Sequence, residues 1–568
     1  MSLKDAEAGS LVDDGNIAAR LGVIAGLVGG AIAIAEPSGP PSRDGSERSY
    51  SITTFSELDQ RATKIARGLI QSGLQPGQRM AMLVPFGAEF ITICFGLLRA
   101  GAVAVLIDPG MGRKHLIQCL ADAKPNGFVG IPKAQAIRSI LRSRFPDASL
   151  NVTVGRKWFW GGYTLAQIES LGSDSKVEIP SRQRIDPAAV IFTTGSTGPP
   201  KGVAYSHGTF HAQVDLIRER YDIHKGGRDL ACFPLFGLFD AVMGVTTIIP
   251  DMDPTRPAEV NPRRLAEAAA QWECDQAFGS PALWNTVVRW AKQNRFEQPF
   301  PTLRRVLSAG APVPAETLGA LRQLLHEEAE IHTPYGATEA LPIASIEARP
   351  VIAETGPAAA KGKGVCVGNR FDQVDWRVIE INDNPIEEIE SAKELPRGKI
   401  GELMVTGPMV TKKYVVRADQ NSAHKVRDGE RIWHRMGDVG YLDSHNRFWF
   451  CGRKTHRVVG QKTWFTVPCE SIINQHSRVY RSALIGLGEK PNQSPMIVVE
   501  PIKEHWPKTE RDRQKLLEEL LDLAKRNPIT MKIDDIRLAS RPLPVDIRHN
   551  SKIFREKIAA DLDRYSEK

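Results

Sequence analysis

The chain has no paired cysteines, no long apolar run and no dense block of like charge, and each lack removes a class of protein. Its seven cysteines (Cys94, Cys119, Cys232, Cys274, Cys366, Cys451, Cys469) are odd in number and scattered, and no CxxC pair occurs. Neither a disulfide framework nor a zinc knuckle is suggested; they read as reduced, mostly buried small hydrophobes in a cytoplasmic protein. The most apolar stretch, Leu21 to Ala35, is broken by Gly22, Gly26, Gly29 and Gly30, and it falls short of the about 20 residues that a membrane-spanning helix needs. A secretory leader fits poorly, because Asp5, Glu7, Asp13 and Asp14 precede that run. The stretch reads instead as a short helix from about Asn16 leading into a buried strand near Ala31–Ala35.

The formal net charge of +8 is not spread evenly. From Arg453 onward 23 Lys+Arg face 16 Asp+Glu, an excess of 7, whereas the rest of the chain holds 51 against 50. RNP-like aromatics, zinc-finger spacing and a Lys/Arg block are all missing, so no nucleic-acid partner is expected. A modestly basic terminal region suits a cover over an anionic ligand, and equally a solvated surface.

What is present is a large globular chain: 568 residues, 42% hydrophobic and 25% charged, enough for at least two domains. Phe55–Ser72 places Leu58, Ala62, Ile65, Ala66 and Leu69 at helical spacing. Arg79–Val84 reads as a strand, Ala88–Ala100 as a helix and Ala102–Ile107 as a strand. This rhythm predicts an α/β fold of mainly parallel, helix-covered sheets. Around Gly398–Gly440 short strands and turns take over, which suggests a small barrel-like subdomain, and a smaller α/β unit with a helix over Glu510–Arg526 follows. The expected division is 1–451 and 452–568.

The most informative segment runs from Phe192 through Thr193, Thr194, Gly195, Ser196, Thr197, Gly198, Pro199 and Pro200 to Lys201 and Gly202, after the apolar strand Ala188–Phe192. Small residues let a backbone approach an anion, the hydroxyls of Thr194, Ser196 and Thr197 can donate to it, and Lys201 supplies charge. The spacing is not that of a Walker loop. Taken alone, a flexible turn explains it as well.

This loop resembles the signature loop of the adenylate-forming superfamily of acyl-CoA synthetases, luciferases and adenylation domains. Further motifs follow in that family's order over roughly residues 50–560. Tyr335-Gly336-Ala337-Thr338-Glu339 resembles YGxTE; Gly401-Glu402-Leu403 with Gly407-Pro408 and Tyr414 resembles GEL…GP…Y. His434-Arg435-Met436-Gly437-Asp438 resembles HTGD with Met436 in place of Thr, Phe450–Arg453 resembles the hinge, and Pro544…Arg555 resembles the terminal PxTxSGKIxR, with Asn550-Ser551 replacing Ser-Gly.

The resemblance implies ATP and Mg²⁺ as partners of the site. Thr194, Gly195, Ser196, Thr197, Gly198 and Lys201 would grip the pyrophosphate. Tyr335 and Gly336 would flank adenine, with Gly310 and Ala311 as the opposite wall. Thr338 would contact the α-phosphate or carboxylate, and Glu339 would hold the metal. Asp438 and Arg453 would take the ribose, and Lys552, on a mobile lid, would bridge carboxylate and phosphate during adenylation.

Three departures bear on the acid. Phe236 and Gly237 stand where related members have Phe-His, so Gly237 implies less bulk beside an acyl pocket that would include Phe239 and Met243; a backbone reason for the glycine, or plain core packing of these side chains, fits as well. No charged clamp for an amino acid is evident. The segment Arg453–Glu470 carries Trp464-Phe465 where thioester-forming members shape a thiol channel, so coenzyme A is not expected to be required.

Together with the segments around Asp108, Asp240 and Leu341, these features resemble the bacterial olefin-biosynthesis β-lactone synthetases. That resemblance implies activation of a long-chain 2-alkyl-3-hydroxy acid, closure by its own 3-hydroxyl, and possible assembly with a reductase, a thiolase and a decarboxylating hydrolase. An acyl-CoA or acyl-AMP ligase and a non-catalytic nucleotide-binding scaffold remain the rival readings. No base for the hydroxyl stands out; His207 reads as structural.

Overall fold

The computed structural model describes residues 15–39, 48–193, 199–295, 298–545 and 552–566. Two large sheets organise the chain up to Val416. The first has eight strands in the order Tyr414–Val416, Gly202–Ser206, Pro187–Phe192, Val103–Leu106, Arg79–Leu83, Gly127–Gly130, Leu150–Thr153 and Tyr163–Thr164. The strands from Pro187–Phe192 to Tyr163–Thr164 pair in parallel, and Pro187–Phe192 turns back antiparallel onto Gly202–Ser206. The residues that follow each of the parallel strands therefore emerge along one sheet edge, the edge where open α/β sheets bind ligands.

The second sheet has nine strands, among them Glu330–Ala337, Arg305–Ser308, Gln276–Gly279, Arg228–Ala231 and Thr246–Ile248, with Ile32–Pro37 and Tyr50–Thr54 at its far side. Helices Phe55–Gln71, Ala88–Arg99, His207–Arg220 and Pro234–Met243 contribute to the main core together with residues of both sheets. In Phe55–Gln71 the expected apolar face is buried, and a capping box from Thr54 and Glu57 starts the helix. Helix Ala88–Arg99 stops where Gly101 takes φ +77°, the left-handed conformation that ends a helix.

The predicted strand–turn region is an antiparallel sheet ordered Val365–Cys366, Phe448–Arg453, Arg431–Leu442, Gly401–Thr406 and Asp375–Ile379, with Lys425–Asp428 paired to Arg431–Leu442. Beyond it, Val479–Leu487, Ser494–Pro501 and Asp535–Leu538 form a three-stranded sheet covered by Thr466–Ile473 and Glu510–Lys525. Its two apolar clusters draw only on residues 458–565. Ion pairs between Lys454 Nζ and Glu402 Oε1 at 3.1 Å and between Arg457 and Asp383 tie the start of this unit to the preceding residues.

All seven cysteines are free and buried. No helix among the described residues is long and apolar enough to cross a membrane; the apolar N-terminal run is the helix Ala19–Val28 followed by the strand Ile32–Pro37. His207 is buried at the start of its helix, where its Nδ1 accepts from the Ile17 backbone N–H at 3.3 Å, a structural role.

Candidate active site

Strands Arg305–Ser308 and Glu330–Ala337 run side by side, with Leu307 opposite His332. Gly310 and Tyr335 each lie three residues beyond that pair, at the same end of two adjacent strands. Gly310 sits at φ +105°, which favours glycine. Gly336 is required by proximity: a Cβ there would come within 2.8 Å of the Ala340 carbonyl and of the Leu341 Cβ.

At the next sheet, Asp438 and Arg453 are direct cross-strand partners. The Tyr335 hydroxyl donates to Asp438 Oδ2 at 2.5 Å. Arg453 brings Nη1 to 2.8 Å from Oδ1, and the same nitrogen donates to the Met436 carbonyl at 3.2 Å. Oδ1 is thus a buried carboxylate oxygen paired with the Arg453 cation. Burial raises the Asp438 pKa, opposed by Arg453, Tyr335 and Lys552. Lys552, from the far end of the chain, is thus near enough to act on the same carboxylate through its charge.

A second group forms where the strand Tyr414–Val416 joins Gly202–Ser206. Glu339 is buried and accepts from the Tyr414 hydroxyl at 2.7 Å on Oε1; its backbone carbonyl accepts from Thr411 N–H and Oγ1. Thr338 offers its carbonyl to the Tyr205 hydroxyl at 2.5 Å. Lys201 sits 4.9 Å over the Tyr414 ring and 3.1 Å from His424 Nε2.

The other His424 nitrogen faces the Arg435 carbonyl at 3.3 Å, which assigns the proton to Nδ1 and leaves Nε2 to accept from the Lys201 ammonium. Burial and the charge of Lys201 hold His424 neutral, pushing its pKa down to about 4. Lys425 is buried below the same tyrosine, donates to the Thr411 carbonyl, and is pushed by burial down to about 7.

The structure therefore brings together Lys201, Tyr335, Thr338, Glu339, Asp438, Arg453 and Lys552. Thr194, Gly195, Ser196, Thr197 and Gly198 lie outside the described residues; the ends of their loop are clasped, Thr193 N–H donating to the Lys201 carbonyl at 3.0 Å. Tyr205, Thr411, His424 and Lys425 were not anticipated. No motif marks them: His424 and Lys425 sit in a short helix and strand defined only by their pairing with Arg431–Leu442.

A metal fits this group in one way only. Among the described residues no set of three His, Cys, Asp or Glu side chains converges, so a tight all-protein cage is not built. A lone buried carboxylate such as Glu339 is instead the kind of ligand that Mg²⁺ takes when substrate phosphates complete its shell.

Helix Pro234–Met243, expected to border the acid, lays Phe236 flat on Phe278 at 4.3 Å and edge-on to Phe239 at 5.9 Å, with Met243 buried at its end. The space left by Gly237 is occupied: a Cβ there would stand 3.1–3.2 Å from Thr247, Ile91 and Phe86. The glycine thus admits the Phe86 ring against the helix instead of enlarging a pocket. Asp240 of this helix and Asp229 of the adjoining strand are both buried, Thr247 donating to Asp240 at 3.2 Å. Burial drives Asp229 up to about 8 and Asp240 well above the carboxylate range. Trp464 likewise proves to be a core side chain of the C-terminal unit, so it does not itself stand in a channel.

Comparison with known proteins agrees with this geometry. Residues 37–415 match the family of AMP-binding enzymes. The chain is 42% identical over 96% of its length to an olefin beta-lactone synthetase of Xanthomonas campestris, covering 97% of that protein. It is 41% identical, with the same shares covered, to an olefin beta-lactone synthetase of Stenotrophomonas maltophilia. The fold is also that of ATP-bound MatB from Rhodopseudomonas palustris, at TM-score 0.75 and 20% identity over 96% of this chain and 99% of that one. The chain belongs to the AMP-binding enzyme family and is an AMP-forming ligase.

Proposed function

We propose that this AMP-binding enzyme converts a long-chain 2-alkyl-3-hydroxy acid to its β-lactone, consuming ATP and releasing AMP and pyrophosphate. The observation that carries this reading is the end-to-end likeness, above 40% identity, to two olefin beta-lactone synthetases. In the first step a carboxylate oxygen of the acid bonds to the α-phosphorus of ATP, and the bond to the β-phosphate oxygen breaks. In the second the 3-hydroxyl oxygen attacks the acyl carbon, the acyl–oxygen bond to AMP breaks, and the hydroxyl proton leaves to solvent or to the departing phosphate. The nucleophile is part of the substrate, so proximity replaces a second binding site and coenzyme A is not needed.

Residue roles follow from placement. Tyr335 and Gly310–Ala311 would enclose adenine. The Asp438 carboxylate, with Arg453 beside it, would accept from a ribose hydroxyl. Lys201 and the 194–198 loop would hold the β- and γ-phosphates, and Lys552 would neutralise charge shared between carboxylate and α-phosphate. Glu339, oriented by Tyr414, would hold Mg²⁺, which supplies Lewis-acid charge to the phosphates when bound. Residues 452–568 would form a lid hinged near Arg453, with Phe236, Phe239 and Met243 lining the acid side and a reductase, thiolase and decarboxylating hydrolase acting on neighbouring intermediates.

A 2-alkyl acid lacking the 3-hydroxyl tests the second step. It should support ATP–pyrophosphate exchange yet give no lactone and only slow AMP release. Rapid AMP release with that acid, unaided by any added thiol, would contradict an intramolecular nucleophile.

A further inference from the structure

Of the nine large apolar side chains exposed among the described residues, four, Ile137, Ile140, Trp158 and Phe159, come from residues 137–159. Ile140 and Phe159 are each 76% exposed and Trp158 is 63% exposed. Single exposed apolar residues need no explanation, but a group of them does. These are also held in place. Trp160 is buried and donates through Nε1 to Thr153 Oγ1 at 3.0 Å; Trp158 stacks parallel to it at 6.3 Å, and Phe159 meets it edge-on at 5.1 Å. Lys157 closes the loop by donating to the Gly162 carbonyl at 2.7 Å. Two aromatic tips are thus displayed to solvent from a braced turn.

The charge of this segment is nearly all of one sign. Residues 132–163 contain six bases (Lys133, Arg138, Arg142, Arg144, Arg156, Lys157) and one acid, Asp147. The loop starts against the N-terminus of helix Pro132–Ile140, where Gly155 approaches Pro132. On that helix Lys133, Ile137 and Ile140 follow i, i+4, i+7 spacing and so share a face, which is exposed.

We infer that the Trp158–Phe159 turn and the exposed face of helix Pro132–Ile140 form a docking surface for a bilayer rich in anionic phospholipid. Aromatic tips flanked by lysine and arginine match the chemistry of the headgroup boundary, the rings entering it while the bases meet phosphate. A second copy of this chain or another protein is the weaker reading, since a protein partner would need a matching acidic face, and residues 132–163 would present it with nearly uniform positive charge.

The location adds a consequence. Strand Leu150–Thr153, which the loop follows, lies two strands from Arg79–Leu83, beyond which Phe86 reaches Gly237, and four strands from Pro187–Phe192, which leads into residues 193–201. All these strands are parallel, so the docking surface shares their carboxyl edge, about 10 Å from the first and about 20 Å from the second at the usual strand spacing. Docking there would bring the acid side of the enzyme to a lipid reservoir. That consequence rests on the proposed long-chain acid; the docking itself does not.

The test is flotation of the full-length protein with vesicles of equimolar phosphatidylglycerol and phosphatidylcholine, and with phosphatidylcholine alone, at physiological salt. Wild type should bind the anionic vesicles and only weakly the neutral ones. W158S/F159S and, separately, R156E/K157E should each lower the apparent vesicle affinity roughly tenfold or more while unfolding at the wild-type temperature. No binding of wild type to anionic vesicles would overturn the inference, as would undiminished binding by both variants. Self-association of wild type that W158S/F159S abolishes, without vesicle binding, would reassign the surface to contacts between copies. Lactone formation from detergent-dispersed acid tests the reaction separately.

Discussion

On the proposed nucleotide side of the site, the carboxylates of Asp438 and Glu339 each have a tyrosine hydroxyl at hand, and Arg453 pairs with the first. On the proposed acid side, Asp229 and Asp240 are equally buried but enter no ion pair among the described residues, and burial raises both so that they hold their protons. The same side chain therefore does opposite work in two places. Where cations are supplied, the carboxylate stays available to bind hydroxyls or metal. Where they are withheld, it becomes a neutral strut between strand Arg228–Ala231 and the helix that carries Phe236 and Met243.

That contrast can be broken first at Lys552. Replacing it with Ala should slow acid-dependent ATP–pyrophosphate exchange by roughly 10²–10³-fold, while ATP binding measured by calorimetry stays within a few-fold of wild type. Unchanged exchange would remove Lys552 from the first step. Glu339→Gln comes next: the amide keeps an acceptor for Tyr414 and loses only the charge, so turnover should fall by roughly tenfold or more and the Mg²⁺ concentration for half-maximal rate should rise. A magnesium titration identical to wild type would dismiss Glu339 as the metal ligand.

His424 sharpens the comparison more gently. Without its acceptor, Lys201 loses the neutral partner that holds its ammonium. His424→Ala should raise the KM for ATP by roughly three- to tenfold with a smaller change in kcat, and Gln at that position should recover part of the loss. Equal falls in kcat for both variants would argue against a positioning role.

The smallest effect concerns stability on the acid side. Folding raises the Asp229 pKa from the ordinary carboxylate value of 3.8 to about 8, so the folded state binds the extra proton and stability falls as pH rises across that interval. Asp229→Asn should therefore raise the unfolding free energy by roughly 1–4 kcal/mol at pH 8, and that advantage should shrink as pH drops toward 4. A difference independent of pH would mean that the pair does not titrate in this window.

The two sides also differed in how far the sequence revealed them. Tyr335, Glu339, Asp438 and Arg453 stand in ordered motifs because each must present one kind of atom at one end of a strand, and strand register then brings them together. The helices and strands near residues 55–107 were legible for a related reason, since their apolar periodicity is local. Residues 411, 424 and 425 were not legible: each acts through a tertiary contact with Glu339, Lys201 or Tyr414 that no spacing in the chain encodes. Gly237 suggested vacant space, yet its missing side chain is replaced by Phe86 from a strand end some 150 positions earlier. Trp464 suggested a blocked channel and is instead core, because a large apolar residue in a short hairpin is buried by whatever sheet it meets.

The most direct test of the account is NMR analysis of the products at ambient temperature, which spares a strained ring from heating. The protein would receive ATP, Mg²⁺ and a synthetic long-chain 2-alkyl-3-hydroxy acid, with and without coenzyme A. The account predicts β-lactone, AMP and pyrophosphate in both reactions, at rates that coenzyme A does not change. A thioester formed only when coenzyme A is present, with no lactone in either reaction, would contradict it.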